Sequence, residues 1–202
     1  MQDSCSDDDT QQWLPDDKRV RAFIERDGGM YDAINRRFGR ANGDILAYLN
    51  CDEQYLPGAL KLVSEFFARH PDIEVLLAGS IVVDQGGKYI CHRHSLVPHP
   101  QHIWFRFSVL SSSIFIRRSV IDSRKILFDT KWRDVGLHWI RCMMRHKVPM
   151  ATLTNVTSVF VDTGENMGMK PNALQGLKAT GWLHAGRGGY DLFGWRITAC
   201  AG

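Results

Sequence analysis

Apolar positions along this chain follow two rhythms. Met30, Ala33, Ile34, Arg37/Phe38 and Ala41 recur at helical spacing, which predicts a helix opened by Gly28-Gly29 and closed by Asn42-Gly43. Pro57 predicts the start of a second helix, at a position where its missing N–H costs nothing. Leu60, Val63, Phe66 and Phe67 form the apolar face of that helix, and Pro71-Asp72 ends it. Val135 to Arg145 predicts a third. Between the helices lie apolar runs without the helical period. Ile45-Leu46-Ala47-Tyr48-Leu49 reads as a strand buried on both faces of a parallel sheet. Ile73 to Val83 reads as another, Gln85-Gly86-Gly87 as a hairpin turn, and Lys88 to Arg93 as the return strand. Ser111 to Arg117 alternates as a strand does, and Met150 to Val161 is strand-like. Gln11 to Arg26 reads as loop with a short strand around Val20–Ile24, and Ser95 to Val109 is mixed. Strands alternating with helices predict an α/β fold with a mostly parallel central sheet flanked by helices.

Composition narrows the class. Hydrophobic residues make up 44% of the 202, enough for a sizeable core. The net charge of +3 is scattered and gives no footprint for nucleic acid. No apolar stretch is long enough to span a bilayer. The first ten residues are strongly acidic and do not read as a signal peptide. The five cysteines are widely spaced without a C-x-x-C pair, which suits a reducing, cytoplasmic setting. His92, His94, His99 and His102 lack a Cys or acidic partner at ligand spacing and read as the lining of a binding cleft or a solvated loop.

The candidate chemistry sits at the end of the Ile45–Leu49 run, in Asn50-Cys51-Asp52-Glu53. In open α/β sheets, ligands bind beyond the carboxyl ends of the strands. Adjacent carboxylates repel unless a cation or a donor lies between them. Mg²⁺ and Mn²⁺ prefer oxygen ligands, and Mg²⁺ commonly takes one or two carboxylates plus substrate phosphates. The same turn also reads as an acidic cap on the Pro57 helix, because carboxylates favour helix N-termini.

The longer pattern around that turn bears on the choice. Arg26-Asp27-Gly28-Gly29-Met30-Tyr31-Asp32-Ala33-Ile34-Asn35, Ala41-Asn42-Gly43-Asp44 and Tyr48-Leu49-Asn50-Cys51-Asp52-Glu53-Gln54-Tyr55-Leu56-Pro57-Gly58-Ala59-Leu60 together resemble inverting glycosyltransferases of family 2. The acidic opening, Gln2 to Thr10, is similar to that family's loop after its second strand. The resemblance runs from Met1 to about Asn172 and implies a nucleotide-diphosphosugar transferase (GT-A) fold over residues 1–172. Residues 173–202 then read as a Gly-rich, poorly ordered tail. The implied activity is metal-dependent transfer of a sugar, with inversion, from a nucleotide-diphosphosugar to a glycan or lipid-linked acceptor. The implied cofactor is Mn²⁺ or Mg²⁺, and the implied place of work is the cytoplasm or the inner face of its membrane.

Carried over to this sequence, Asp3 matches the carboxylate that contacts the nucleotide base, and Asp27 an acidic position lining the nucleotide pocket. Asn50 and Asp52 match the first and last members of a D-x-D-like motif, with Asp52 as metal ligand and Glu53 in place of a frequent second Asp. Ser112 falls beside the implied acceptor pocket and is a candidate sugar contact. Two departures stand out. The family's opening strand and helix have no counterpart, so the chain reads as N-terminally truncated. Leu137 follows Gly136 where the family's catalytic Asp is expected, so that Asp is replaced or deleted, leaving Asp134 and His138 as the nearest titratable groups. An alternative follows: a catalytically impaired remnant that only binds nucleotide-sugar.

Overall fold

The computed structural model describes residues 1–97, 109–130, 137–164 and 166, with Leu137 and His138 described by backbone alone. The described elements belong to one compact unit, Met1–Thr130 with Gly136–Thr163. The domain boundary expected at 172/173 and the tail beyond it lie outside the described residues.

The chain opens with β1 (Gln2–Asp3), α1 (Thr10–Trp13), a single 3-10 turn (Leu14–Asp16) and β2 (Phe23–Ile24). β1 and β2 form a separate two-stranded parallel sheet. Then come α2 (Met30–Arg40), β3 (Ile45–Leu46), β4 (Gln54–Tyr55), α3 (Ala59–Arg69), β5 (Val75–Asp84) and β6 (Tyr89–Arg93). A second 3-10 turn (Ser111–Ser113) leads into β7 (Ile114–Arg117), α4 (Arg118–Asp122), α5 (Leu137–Arg145) and β8 (Met150–Asp162). The main sheet has six strands in the order β3-β7-β5-β8-β4, with β6 also paired to β5.

The α/β class holds, but the strand directions differ from the mostly parallel sheet expected. Within the main sheet β5 and β8 are parallel, whereas β3–β7, β5–β7, β4–β8 and β5–β6 are antiparallel. A continuous apolar run reports burial on both faces, not strand direction, and β5 and β7 are buried on both faces. Val75, Leu77, Ile114 and Ile116 face a core completed by Tyr31, Ile34 and Phe38 of α2, Val120 of α4, and Trp139, Ile140 and Met143 of α5. The intervening Leu76, Ala78 and Phe115 face a second core with Val63 and Phe67 of α3. The period-2 alternation of strand side chains thus builds two hydrophobic layers around one sheet.

α3 starts at Ala59, two residues after Pro57, because Gly58 adopts the left-handed conformation that caps it. Of the expected apolar face, Val63 and Phe67 are buried with Phe66 packed beside them, whereas Leu60 is exposed and Ala59 is buried. β3 is shorter than the apolar run that predicts it. Its neighbours still alternate, with Ile45 and Ala47 packed on one core, and Leu46 and Tyr48 on the other. Among the described residues no helix is long and apolar enough to cross a membrane.

Candidate donor site

The two acidic positions at the N-terminal end sit on neighbouring strands. Asp3 ends β1 in register with Ile24 of β2, so Asp27 follows a few residues beyond the same end. Asp3 is buried, and its carboxylate accepts from the Ser6 backbone N–H at 3.1 Å and the Ser6 hydroxyl at 2.5 Å. Asp27 accepts from Gly29 N–H at 3.0 Å, and its own N–H donates to Ser4 Oγ at 3.4 Å. Gly29, at φ 110°, occupies backbone space that side chains disfavour and turns the chain into α2.

The aromatic layer links this corner to the acidic turn. Tyr31 in the first turn of α2 stacks on Phe128 at 5.0 Å, and Phe128 meets Tyr48 edge-on at 5.8 Å. Tyr48 lies two residues before Asn50. Burial, with the Tyr31 phenol and the Glu53 carboxyl nearby, holds the Tyr48 phenol well above its ordinary range, so it stays neutral.

The tetrad itself divides by exposure. Cys51 and Asp52 are exposed and Asn50 is half-buried, whereas Glu53 is buried. The Glu53 N–H donates to the Asn50 carbonyl at 3.1 Å, and the Asn50 N–H donates to Glu53 Oε2 at 2.9 Å. The other carboxylate oxygen of Glu53 accepts from the Ser111 hydroxyl at 3.0 Å. Burial pushes the Glu53 carboxyl above its ordinary value; the donors from Asn50 and Ser111 oppose the shift, and nearby Asp52 adds to it. Antiparallel pairing explains the Ser111 contact. Leu46 of β3 lies opposite Ile116 of β7, so the chain leaving β3 passes the chain entering β7.

Asp52 makes no hydrogen bond or ion pair among the described residues. No three His, Cys, Asp or Glu side chains among the described residues gather as a metal cage. One outward carboxylate fits a divalent cation whose remaining ligands come from phosphate and water, as Mg²⁺ commonly arranges. Glu53, the other acidic member of the motif, has each carboxylate oxygen hydrogen-bonded within the protein. Ser112, expected to touch a sugar, is fully buried, and its hydroxyl meets no partner among the described residues. His138 lies on α5, and Asp134, His99 and His102 fall outside the described residues. His92 and His94 are exposed on the β6 side, their rings 4.3 Å apart. Ser111 was missed by sequence reasoning. Three consecutive serines advertise a hydroxyl there but not which of them faces the acidic turn.

The family model described as "Glycosyl transferase family 2" matches residues 2–148. This chain belongs to glycosyl transferase family 2. Solved structures agree on the fold. S. aureus TarS in complex with UDP-GlcNAc superposes with a TM-score of 0.65 at 16% identity, over 88% of this chain and 54% of that one. Glucosyl-3-phosphoglycerate synthase from Mycobacterium tuberculosis, in complex with phosphoglyceric acid, gives 0.55 at 16% identity, over 98% and 75%. The mannosyltransferase PcManGT from Pyrobaculum calidifontis, in complex with GDP-Man and Mn²⁺, gives 0.52 at 17% identity, over 80% and 46%. This family 2 chain spans about half the length of the TarS structure, at 54%. Among curated proteins, none matches it.

Proposed function

We propose that this family 2 chain binds a nucleotide-diphosphosugar through a divalent cation held at Asp52, and that it transfers the sugar to a glycan or lipid-linked acceptor with inversion. The observation that carries this reading is the acidic turn: a structured loop that buries Glu53 and leaves Asp52 outward without a protein partner. The neighbours' bound UDP-GlcNAc, and GDP-Man with Mn²⁺, are the kind of ligand the reading calls for.

In this reading Asp3 and Asp27 line the base and ribose side, each already oriented by Ser6 and Gly29 donors. Asn50 flanks the diphosphate. When bound, Mn²⁺ or Mg²⁺ supplies Lewis-acid stabilisation of the departing diphosphate. The acceptor hydroxyl oxygen bonds to the anomeric carbon as the bond from that carbon to the diphosphate oxygen breaks. Its proton passes to a general base, for which the Asp134 carboxylate is the candidate, with the His138 imidazole second. The nucleoside diphosphate leaves. Peripheral association with the inner face of the cytoplasmic membrane suits a lipid-linked acceptor.

Two substitutions test the parts separately. Asp52→Ala is expected to abolish Mn²⁺-dependent nucleotide binding in calorimetry; retained binding sinks the reading. Asp134→Ala is expected to leave nucleotide affinity unchanged and to lower kcat about 10²–10⁴-fold, the usual contribution of a positioned general base. Unchanged kcat would remove Asp134 from the role and point to His138.

A further inference from the structure

Glu53 is the member of the tetrad that is turned into the protein. A buried carboxylate is costly unless donors meet its oxygens. Here the two oxygens are met by different parts of the chain. The Asn50 N–H at 2.9 Å closes the turn locally, and the Glu53 N–H returns to the Asn50 carbonyl at 3.1 Å. The Ser111 hydroxyl at 3.0 Å reaches across from the 3-10 turn that opens β7. That turn is itself fastened, because Ser113 donates through its N–H and its hydroxyl to the Leu110 carbonyl, at 3.0 and 2.9 Å.

Asp52 lies between the two residues that this arrangement clamps. Its side chain makes no hydrogen bond among the described residues, so its direction depends on the backbone of the turn. The local Asn50–Glu53 bonds shape the turn, and its far end runs straight into β4, paired with β8. The bond to Ser111 adds a side-chain tie from the buried carboxylate to the segment that opens β7. The three serines therefore differ: Ser113 fastens its own turn, Ser112 is sealed in the interior, and Ser111 reaches the acidic turn.

We propose that Glu53 and Ser111 form a strut that positions Asp52 for the divalent cation, so that both are positioning residues touching neither cation nor diphosphate. This rests on the reading of Asp52 as the donor-site metal ligand. Removing the Ser111 hydroxyl leaves one oxygen of a buried carboxylate without its donor, which favours opening of the turn. Partners that orient a metal ligand typically cost about 10- to 100-fold in metal affinity when lost.

The test uses the full chain, UDP and GDP as probes with and without Mn²⁺, and amide exchange at residues 50–53. Ser111→Ala is expected to weaken Mn²⁺-dependent affinity for the bound nucleotide about 10- to 100-fold, while metal-free affinity stays within about twofold. It is also expected to speed exchange of the Glu53 amide. Ser111→Thr, which keeps a hydroxyl, is expected to restore both. Glu53→Gln, which loses the charge but keeps an acceptor, is expected to show a smaller loss of the same kind. Unchanged Mn²⁺-dependent affinity in Ser111→Ala, an equal loss of metal-free binding, or no recovery in Ser111→Thr overturns the proposal. If wild type binds neither nucleotide with Mn²⁺, the donor-site reading fails and the positioning role falls with it. The exchange data then still report whether Ser111 holds the turn.

Discussion

At the residue scale, charges are arranged very differently at the two acidic corners. Near β2, Glu25 accepts from Arg40 at 2.7 Å and Arg36 at 3.3 Å, and its carboxyl is held down to about 2 by the hydrogen bond to Arg40 and then that to Arg36. At the turn after β3, burial pushes Glu53 the other way. The sign at Glu25 fixes a pH effect. A carboxylate whose folded pKa lies below its unfolded value adds stability above the unfolded pKa and loses it as pH falls toward the folded one. The urea midpoint is therefore expected to fall as pH drops from about 4.3, the ordinary Glu value, toward about 2. Glu25→Gln is expected to flatten that slope, and equal slopes in the two proteins would remove Glu25 from the account.

At the scale of elements, the clearest joint is between α2 and the segment before α5. Asn35 donates through Nδ2 to the Phe128 carbonyl at 2.8 Å and accepts the Phe128 N–H at 3.0 Å. That clamp holds the Phe128 ring between Tyr31 and Trp139, with Trp139 at 4.2 Å. Asn35→Ala leaves both backbone groups unpaired and is expected to cost about 1–3 kcal/mol in chemical denaturation. A loss within error would show that water replaces the side chain.

The elements also show what the sequence makes readable. α2 was legible because its apolar positions keep the helical period and glycines mark its start. The β5–β6 hairpin was legible from Gln85-Gly86-Gly87, where Asp84 Oδ1 accepts from the Gly86 and Lys88 N–H groups, both at 2.9 Å. α1 was not, because Thr10–Trp13 carries no buried residue and so no apolar stripe. Ser111–Ser113 reads as strand by alternation but forms a 3-10 turn, in which Ser113 bonds back to Leu110 and Ser111 reaches across to Glu53. In the site, the exposed turn around Asp52 was legible from local pattern alone. The Glu53–Ser111 bond was not, because the two residues are 58 positions apart and meet only through the β3–β7 pairing.

At the scale of the whole molecule, the sheet is held by the long parallel pairing of β5 and β8, which shifts register around Gly79. A Cβ added at Gly79 would lie 3.2 Å from the Asn155 carbonyl oxygen and 3.3 Å from that of Arg93, one on each neighbouring strand. Both are backbone atoms that yield little. Gly79→Ala is expected to cost about 1–3 kcal/mol, as overpacked sites do, read as a lower urea midpoint. An unchanged midpoint would mean that the bulge relaxes freely. The acidic turn lies in the connection from β3 at one edge of this sheet to β4 at the other, and the two strands fix where Asp52 stands.

The central claim is that Asp52 on this turn holds a divalent cation for a nucleoside diphosphate. Calorimetry of the wild-type chain and Asp52→Ala with UDP and with GDP, each with and without Mn²⁺, tests it most directly. The account predicts binding by wild type that strengthens with Mn²⁺, a strengthening that is lost in Asp52→Ala. Wild-type binding that ignores Mn²⁺, or a Mn²⁺ enhancement that survives the substitution, contradicts it.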